Sequence, residues 1–279
     1  MVRYRSFWVL VRSGGEIASA VVWRLNRSGF PTIVLELPSP LVVRRRVAFA
    51  EAVFSGECEV EGIPGKLVQD LAEAKSYIEH AGGVPVLIDP DVQVLPVLSP
   101  TVLIDGRMAK RALDTRIGQA PIVIGLGPGF TAGVHADAVI ETNSGPSLGR
   151  VIYEGTALPN TGIPCQIGGF QAERVLRAPR AGMFLTEKKI GDVVGKGEIV
   201  GYVDDAPVRA GVGGVLWGLL HPGIHVDEGT KLGDIDPRGD PTVVDRIAGK
   251  GQAVAAGTLA AIFTLAARKE IPLQEEATP

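Results

Sequence analysis

Cysteine is scarce in this chain. There are two in 279 residues, Cys58 and Cys165, and they form no Cys-x-x-Cys pair. That excludes a dense disulfide framework. Histidine is almost as rare, with four residues. His221 and His225 stand four apart, but Pro222 and Gly223 between them prevent a shared helical face for a metal. There is no excess of basic charge either. The net charge of -3 argues against a broad footprint on nucleic acid, and the cluster Arg44-Arg45-Arg46 is too small to reverse it. Long apolar runs are missing: the longest, residues 253–267, falls short of the ~18 residues a spanning helix needs, so no membrane partner is expected. Residues 7–11 are apolar but too few for a secretory signal, and Arg12 ends them without a cleavage site. No Ser-His-Asp signature or Walker loop is visible. These absences together predict a soluble cytoplasmic protein.

What is present is a sizeable core. The chain is 46% hydrophobic and 21% charged, and its length allows about two domains at ~100–200 residues each. Residues 7–11 read as a strand buried on both faces. Ala18, Val21, Val22 and Leu25 then recur at helical spacing, Gly29 stops the helix, and residues 32–37 form a second strand. That is one βαβ unit. Residues 67–80 read as a helix with the stripe Leu67, Leu71, Ala74 and Ile78. Short strands are expected at residues 86–88, 101–104, 122–124 and 138–140, several ending in Asp, Gly or Glu. The pattern predicts an α/β fold with a Rossmann-like three-layer domain.

Two glycine-rich turns leave such strands. The first, Arg12-Ser13-Gly14-Gly15-Glu16-Ile17-Ala18, sits close to the dinucleotide fingerprint, with Glu36 some twenty residues on placed to accept ribose hydroxyls. Ser13 stands where the first glycine belongs, and Glu16 competes for the same N–H groups as a pyrophosphate; a turn capped by its own acid is the bland alternative. The second turn, Gly125-Leu126-Gly127-Pro128-Gly129-Phe130, leads through Thr131 and His135 to Glu141-Thr142-Asn143. Gly14, Gly15, Glu36, Gly127, Gly129, Thr131, Glu141 and Asn143 are the candidate ligand-binding residues, with both turns opening onto one cavity that holds one anion. Arg44 and Arg46 would share a face of an extended segment and clamp a phosphate. Cys165 could carry sulfur or selenium if its thiolate is exposed.

Helical periodicity fades after about residue 158. Residues 191–199 and 223–232 resemble each other, as two related hairpins would. Residues 180–238 resemble the barrel-sandwich fold of biotinyl and lipoyl carrier domains through Ile190-Gly191-Asp192-Val193-Val194, Ala206-Pro207-Val208-Arg209-Ala210-Gly211 and His225-Val226-Asp227-Glu228-Gly229. No lysine lies between Tyr202 and Gly223, so no biotin or lipoate can be attached. Residues 243–269 read as helix with a break near residues 249–251. The expected organisation is a Rossmann-like ligand-binding domain (1–158), a connecting segment (159–179), the barrel-sandwich domain (180–238) and a C-terminal helical segment (239–279).

Longer phrases carry a wider resemblance. Arg45-Arg46-Val47-Ala48-Phe49-Ala50-Glu51-Ala52-Val53, Gly125-Leu126-Gly127-Pro128-Gly129-Phe130-Thr131-Ala132-Gly133, Val139-Ile140-Glu141-Thr142-Asn143 and Gly233-Asp234-Ile235-Asp236-Pro237-Arg238 occur in an order that resembles the selenium-dependent molybdenum hydroxylase system proteins. The family has links to the xanthine dehydrogenase accessory proteins. The resemblance implies an accessory protein for molybdenum hydroxylase maturation that binds a nucleotide-bearing small molecule. Candidate cofactors are molybdopterin dinucleotide and NAD. A hydroxylase subunit would be the protein partner, and a homo-oligomer is compatible with the family. Two alternatives stand beside it: an NAD-dependent oxidoreductase with His135 as proton donor, and a non-catalytic scaffold that docks a hydroxylase subunit. Ser144-Gly145-Pro146 departs from the Arg-Gly-His phrase expected after Asn143, and Trp217-Gly218 from an expected Arg-Gly pair.

Overall fold

The computed structural model describes Tyr4, residues 6–111 and residues 113–273. They fall into two compact units. One takes the chain up to Pro40, Ala48–Asn160 and everything from Ile247; the other takes Leu41–Val47 and Thr161–Arg246.

The first unit is built on β1 (Val9–Arg12), α1 (Glu16–Arg27), β2 (Thr32–Glu36), α2 (Ala52–Ser55), β3 (Glu57–Val60), β4 (Ile63–Val68), α3 (Leu71–Ala81) and β5 (Val84–Ile88). It continues with α4 (Leu95–Leu98), β6 (Val102–Asp105), β7 (Ile122–Leu126), β8 (Thr131–Ala132), β9 (Ala138–Ile140), β10 (Val151–Ile152) and β11 (Gly155–Thr156). The helix α5 (Gly249–Arg268) returns to this unit from the far end of the chain. Nine strands form one sheet in the order β10-β9-β7-β6-β1-β2-β5-β4-β3. The seven inner strands run parallel, and β3 and β10 close the edges antiparallel. Side chains alternate across the pleat. Leu10, Ile33, Leu35, Leu103 and Val123 face Ala74 and Ile78 of α3 and Leu98 of α4.

Local chemistry explains the helices. In α1, Ala18, Val21, Val22 and Leu25 are buried, Glu16 lies in the first turn, and Arg24 and Arg27 lie in the last, where the helix dipole favours each sign. Small residues let α5 approach closely: a Cβ on Gly251 would lie 2.9 Å from Ala20 Cβ, and one on Gly257 would strike the Gly149 carbonyl. Together with the short 3₁₀ segment before it, α5 is long and apolar enough to cross a bilayer, yet half of its apolar window is buried inside the protein. The helix α3 starts four residues later than its periodicity suggests. Asp70 accepts the Glu73 N–H at 2.8 Å while Glu73 accepts the Gln69 N–H at 2.9 Å, a reciprocal cap that leaves Leu67 to β4.

The second unit contains β12 (Val175–Arg177), β13 (Gly182–Leu185), β14 (Val193–Val194), β15 (Ile199–Val203), β16 (Ala206–Arg209), β17 (Gly214–Leu219), β18 (Ile224–Val226) and β19 (Lys231–Asp236). They form two four-stranded antiparallel sheets, β12-β19-β17-β14 and β16-β15-β13-β18. The two similar segments are arches rather than hairpins. β14 and β15 belong to different sheets, and so do β18 and β19. A glycine at positive φ lies in each arch, Gly197 in one and Gly229 in the other, and Gly191 and Gly223, also at positive φ, precede their first arms.

The expected architecture, a Rossmann-like three-layer domain followed by a lipoyl-like barrel-sandwich domain, is therefore corrected. The large sheet is mixed; the crossover helices of more than one turn are α1 between β1 and β2 and α3 between β4 and β5, and one-turn α4 lies between β5 and β6. The connections β6–β7 and β7–β9 carry no helix. The second unit is not a self-contained barrel over residues 180–238, because it needs β12 as a sheet edge and recruits Leu41–Val47 from far upstream.

Candidate functional site

All seven parallel strands point their carboxyl ends the same way, and that edge gathers buried ionisable groups. Arg12 ends β1, Glu36 ends β2 and Asp105 ends β6, while Asp89 and Glu141 follow β5 and β9; all five are buried. From β1 the chain proceeds to β2 on one side and later to β6 on the other, so β1 and β6 flank the point where strand order reverses. Ligands of open parallel sheets bind outside such a point.

A buried charge must be paired, and the pairings differ in kind. Glu36 Oε1 accepts the Gly14 N–H at 2.6 Å and the Ser13 hydroxyl at 3.2 Å, and Oε2 accepts the Leu37 N–H at 2.8 Å. Burial pushes its carboxyl above the usual range, and those three hydrogen bonds pull against it. Asp89 accepts the N–H groups of Gln93 and Val94, both at 2.9 Å. Glu141 accepts those of Asn143 at 2.7 Å and Leu158 at 2.8 Å. These three acids hold their own loops.

The junction of β1 and β6 is different. Arg12 Nη1 and Nη2 donate to Asp114 Oδ1 and Oδ2 at 2.9 and 2.8 Å, and Nη1 also donates to Thr115 Oγ1 at 2.9 Å. Arg107 Nη2 reaches the same Asp114 at 2.6 Å and Asp105 at 2.6 Å. The Thr115 hydroxyl donates to Asp105 at 2.6 Å. Arg12 first, then Arg107, hold the Asp114 carboxyl far below the usual carboxylate range. Asp105 is fully buried, whereas the Asp114 side chain is 53% exposed.

The sequence-derived candidates fall into two groups. Gly14, Gly15 and Glu36 meet at the β1–β2 end. Ser13 takes φ +87° there, and its hydroxyl accepts the Gly15 N–H at 3.1 Å. Gly127, Glu141 and Asn143 meet at the β7–β9 end, where a Cβ on Gly127 would lie 3.0 Å from Thr142 Oγ1. The groups do not open onto one cavity. β6 runs between them, which separates β1 from β7 by about 10 Å, and a Cβ on Gly129 would strike the Ala109 carbonyl of the chain following β6. Thr131 donates its N–H to His135 Nδ1 at 3.0 Å, so His135 caps its own turn.

The other candidates lie in the second unit. Arg44 is buried 3.7 Å from the Trp217 ring centre and donates to the Arg246 carbonyl at 3.0 Å. Arg45 donates to the Leu219 carbonyl at 2.7 Å, and Arg46 pairs with Asp245. A phosphate clamp does not form, because residues 45–47 are a 3₁₀ turn rather than a strand. Cys165 is exposed, and its Sγ accepts from Arg174 Nη2 at 3.5 Å. Among the described residues no group of His, Cys, Asp or Glu could hold a metal ion. Sequence reasoning missed Arg12, Asp105, Arg107, Asp114 and Thr115. Polar residues at strand ends were the available signal.

Comparison with known proteins gives a relative in sequence. The chain is 44% identical over 257 residues to the uncharacterized protein YqeB of Escherichia coli K12, covering 92% of this chain and 47% of the relative. It thus spans about half the length of the curated relative it matches. No family model matches. Similar solved structures include a succinylglutamate desuccinylase/aspartoacylase from Rhodobacter sphaeroides (16% identity, 82% of this chain and 85% of that one, TM-score 0.26). The product-bound ectoine utilization protein EutE (DoeB) from Ruegeria pomeroyi matches with 12% identity, the same coverages and TM-score 0.26. An aspartoacylase family protein from Mesorhizobium loti matches with 13% identity, 84% and 86% coverage and TM-score 0.26.

These findings overturn the resemblance to selenium-dependent molybdenum hydroxylase system proteins. The sequence relative is described as uncharacterized and the solved structures named above as desuccinylase or aspartoacylase family proteins or an ectoine utilization protein, so nothing in them points to selenium or molybdenum. The roles derived from that resemblance go with it, as do the NAD-dependent oxidoreductase and the docking scaffold. At a TM-score of 0.26 the solved structures carry neither an architecture nor an activity across to this chain.

Proposed function

We propose that the α/β unit binds a small polar organic molecule at the carboxyl edge of its parallel sheet, over the junction of β1 and β6. The observation that carries this reading is the pairing of Arg12. Among the five ionisable groups buried at that edge, it alone is neutralised by an exposed carboxylate from a distant loop. A partner of that kind is exchangeable, whereas the backbone partners of Glu36, Asp89 and Glu141 are not. On this reading Gly14, Gly15 and Glu36 form one wall of the site, and Gly127, Gly129, Thr131, Glu141 and Asn143 form the shoulder beyond β6. The setting we propose is cytoplasmic, supported by two cysteines that are both free.

A cavity of about 720 Å³ competes for the role. It is lined by Leu95, Pro96, Ser99, Ile117, Gln119 and Lys269, among others, at the amino ends of β6 and β7. Hydrogen exchange of the natively purified full chain, with and without a low-molecular-weight cell extract, separates the two. Added protection at residues 12–16 and 105–107 supports the carboxyl-edge site. Protection confined to residues 95–100 and 117–121, or none at all, refutes it.

A further inference from the structure

We infer that the ligand of this edge is a carboxylate, held by Arg12 and Arg107 in the place where Asp114 now sits. This assignment rests on the proposed binding at the β1–β6 junction and adds the charge class of the ligand.

Geometry comes first. Arg12 is 4% exposed, and its two Nη atoms meet the two Asp114 oxygens at 2.9 and 2.8 Å. That is the parallel, two-bond arrangement in which a planar guanidinium reads a planar carboxylate. Thr115 Oγ1 lies at 2.9 Å from Arg12, beside that carboxylate.

The exposure of the partner comes second. Asp114 is 102 positions from Arg12 in sequence and its side chain is 53% exposed. Released, it returns to water at little cost. Arg12 cannot follow, because it is anchored at the end of a central strand, and a buried guanidinium without an anion is strongly disfavoured. Another anion therefore has to replace Asp114 when it leaves. Glu36, Asp89 and Glu141 are tied to backbone N–H groups of their own loops, and Asp105 to Arg107 and Thr115.

The charge count then selects the anion. With Asp114 withdrawn, Arg12 and Arg107 carry two positive charges and Asp105 one negative charge, so one positive charge stays uncovered. A single carboxylate matches it. A phosphate dianion would leave surplus negative charge next to buried Asp105, near the buried Glu36. Asp114 thus acts as an internal stand-in that the ligand must displace, and the apparent affinity of the wild-type protein is lowered by the fraction of time it stays closed.

Calorimetric titration of the full chain with acetate, succinate and inorganic phosphate tests this. With Asp114 closed about nine-tenths of the time, Asp114→Ala and Asp114→Asn are expected to bind the carboxylates about tenfold more tightly than wild type. Arg12→Gln is expected to abolish that binding. Loss of Arg12 also threatens folding, so Arg107→Gln, on a partly exposed side chain, is the second variant and is expected to weaken carboxylate binding several-fold. Equal carboxylate affinity in wild type and both Asp114 variants overturns the assignment, as does tighter binding of phosphate than of either carboxylate, or binding that survives Arg107→Gln unchanged. A neutral or cationic ligand protecting residues 12–16 and 105–107 sinks the carboxylate assignment and leaves the binding site standing. Protection at the opposite edge removes both.

Discussion

Gly14 and Gly15 look interchangeable in sequence, yet their surroundings predict opposite responses to the same methyl group. A Cβ on Gly14 would lie 2.7 Å from Ala50 N, 3.1 Å from Val34 Cγ1 and 3.2 Å from Ala50 Cα. Ala50 cannot retreat freely. Its N–H donates to the Gly14 carbonyl at 3.0 Å, and Ser19 Oγ ties that carbonyl to the Phe49 N–H at 2.7 and 2.8 Å. Overpacking of this kind costs roughly 1–3 kcal/mol, and a stretched buried hydrogen bond about 1 more. Gly14→Ala should therefore destabilise by about 3 kcal/mol. At Gly15 the backbone has φ -67°, open to any residue, and the nearest atom to a new Cβ is Ser13 Oγ at 3.4 Å. Alanine there loses a few tenths of a kcal/mol as an N-cap and regains about as much by restricting the unfolded chain, for a net effect within about 0.5 kcal/mol. Thermal unfolding followed by tryptophan fluorescence reads both. At about 2–4 °C per kcal/mol for a chain of this size, Gly14→Ala should melt roughly 6–12 °C below wild type and Gly15→Ala within about 2 °C of it. Similar shifts for the two variants would refute the claim that packing against residues 49–51, rather than a ligand, demands the first glycine.

Three further outcomes are expected. The Asp114 carboxyl is held below its ordinary 3.8, so its pairing stabilises the fold above that pH and is lost as pH falls through the lowered value. Asp114→Asn should cost about 2–3 kcal/mol at pH 7, because it leaves buried Arg12 without its anion while Asp114 itself is half exposed, and the gap in melting temperature should narrow on acidification; a gap that does not shrink between pH 5 and pH 2 contradicts the pairing. Burial pushes the Cys58 thiol up to about 12, so iodoacetamide at pH 8 should label exposed Cys165 and spare Cys58 until urea is added, and mass spectrometry showing comparable labelling of both would be decisive against this. Arg44→Ala removes a buried guanidinium from the Trp217 ring and from the Arg246 carbonyl, whereas Arg46→Ala removes an exposed pair with Asp245. Urea denaturation should show a loss of about 2–3 kcal/mol for the first and under 1 kcal/mol for the second, and equal losses would disprove the distinction.

Local periodicity made the first βαβ unit legible, and the strands at residues 122–124 and 138–140 lie inside or on β7 and β9. It failed where tertiary context took over. Leu67 fits the apolar stripe of a helix, but the reciprocal cap at Asp70 and Glu73 starts the helix only after it, at Leu71. The two glycine-punctuated repeats looked like hairpins, because sequence similarity reveals a shared turn and not which sheet each arm joins. The crossovers from β6 to β7 and β9 are helix-free, so the surface expected of a doubly wound domain is supplied by α5, more than a hundred residues downstream. The site suffered most. Glu36 does meet the first glycine turn, through the Gly14 N–H, but Arg12 and Asp114 lie 102 residues apart, and nothing in either neighbourhood announces their pairing.

The same local device occurs twice among the described residues, and the difference between its two copies bears on function. Asp105-Gly106-Arg107 ends β6 and Asp236-Pro237-Arg238 ends β19. In both, the arginine N–H donates to the aspartate Oδ1 (3.1 and 3.0 Å), Nε donates to the same oxygen (3.1 and 3.0 Å), and Nη2 donates to Oδ2 at 2.6 Å. Both aspartates are fully buried at a strand end. The device by itself neutralises a strand-end acid and turns the chain, which is all that Asp236 and Arg238 require of it. At β6 a third residue is added: Arg107 reaches past Asp105 to Asp114, which also meets a buried arginine from the neighbouring strand. An ion pair that only closed a turn would need neither. On the proposed reading, the extra carboxylate, exposed and distant in sequence, makes this copy the one with an exchangeable partner. Transplanting the test to the second copy checks that logic. Arg238→Gln should lower stability without altering carboxylate binding, while Arg107→Gln should weaken binding, and a loss of binding in Arg238→Gln would show that the comparison between the two copies is mistaken.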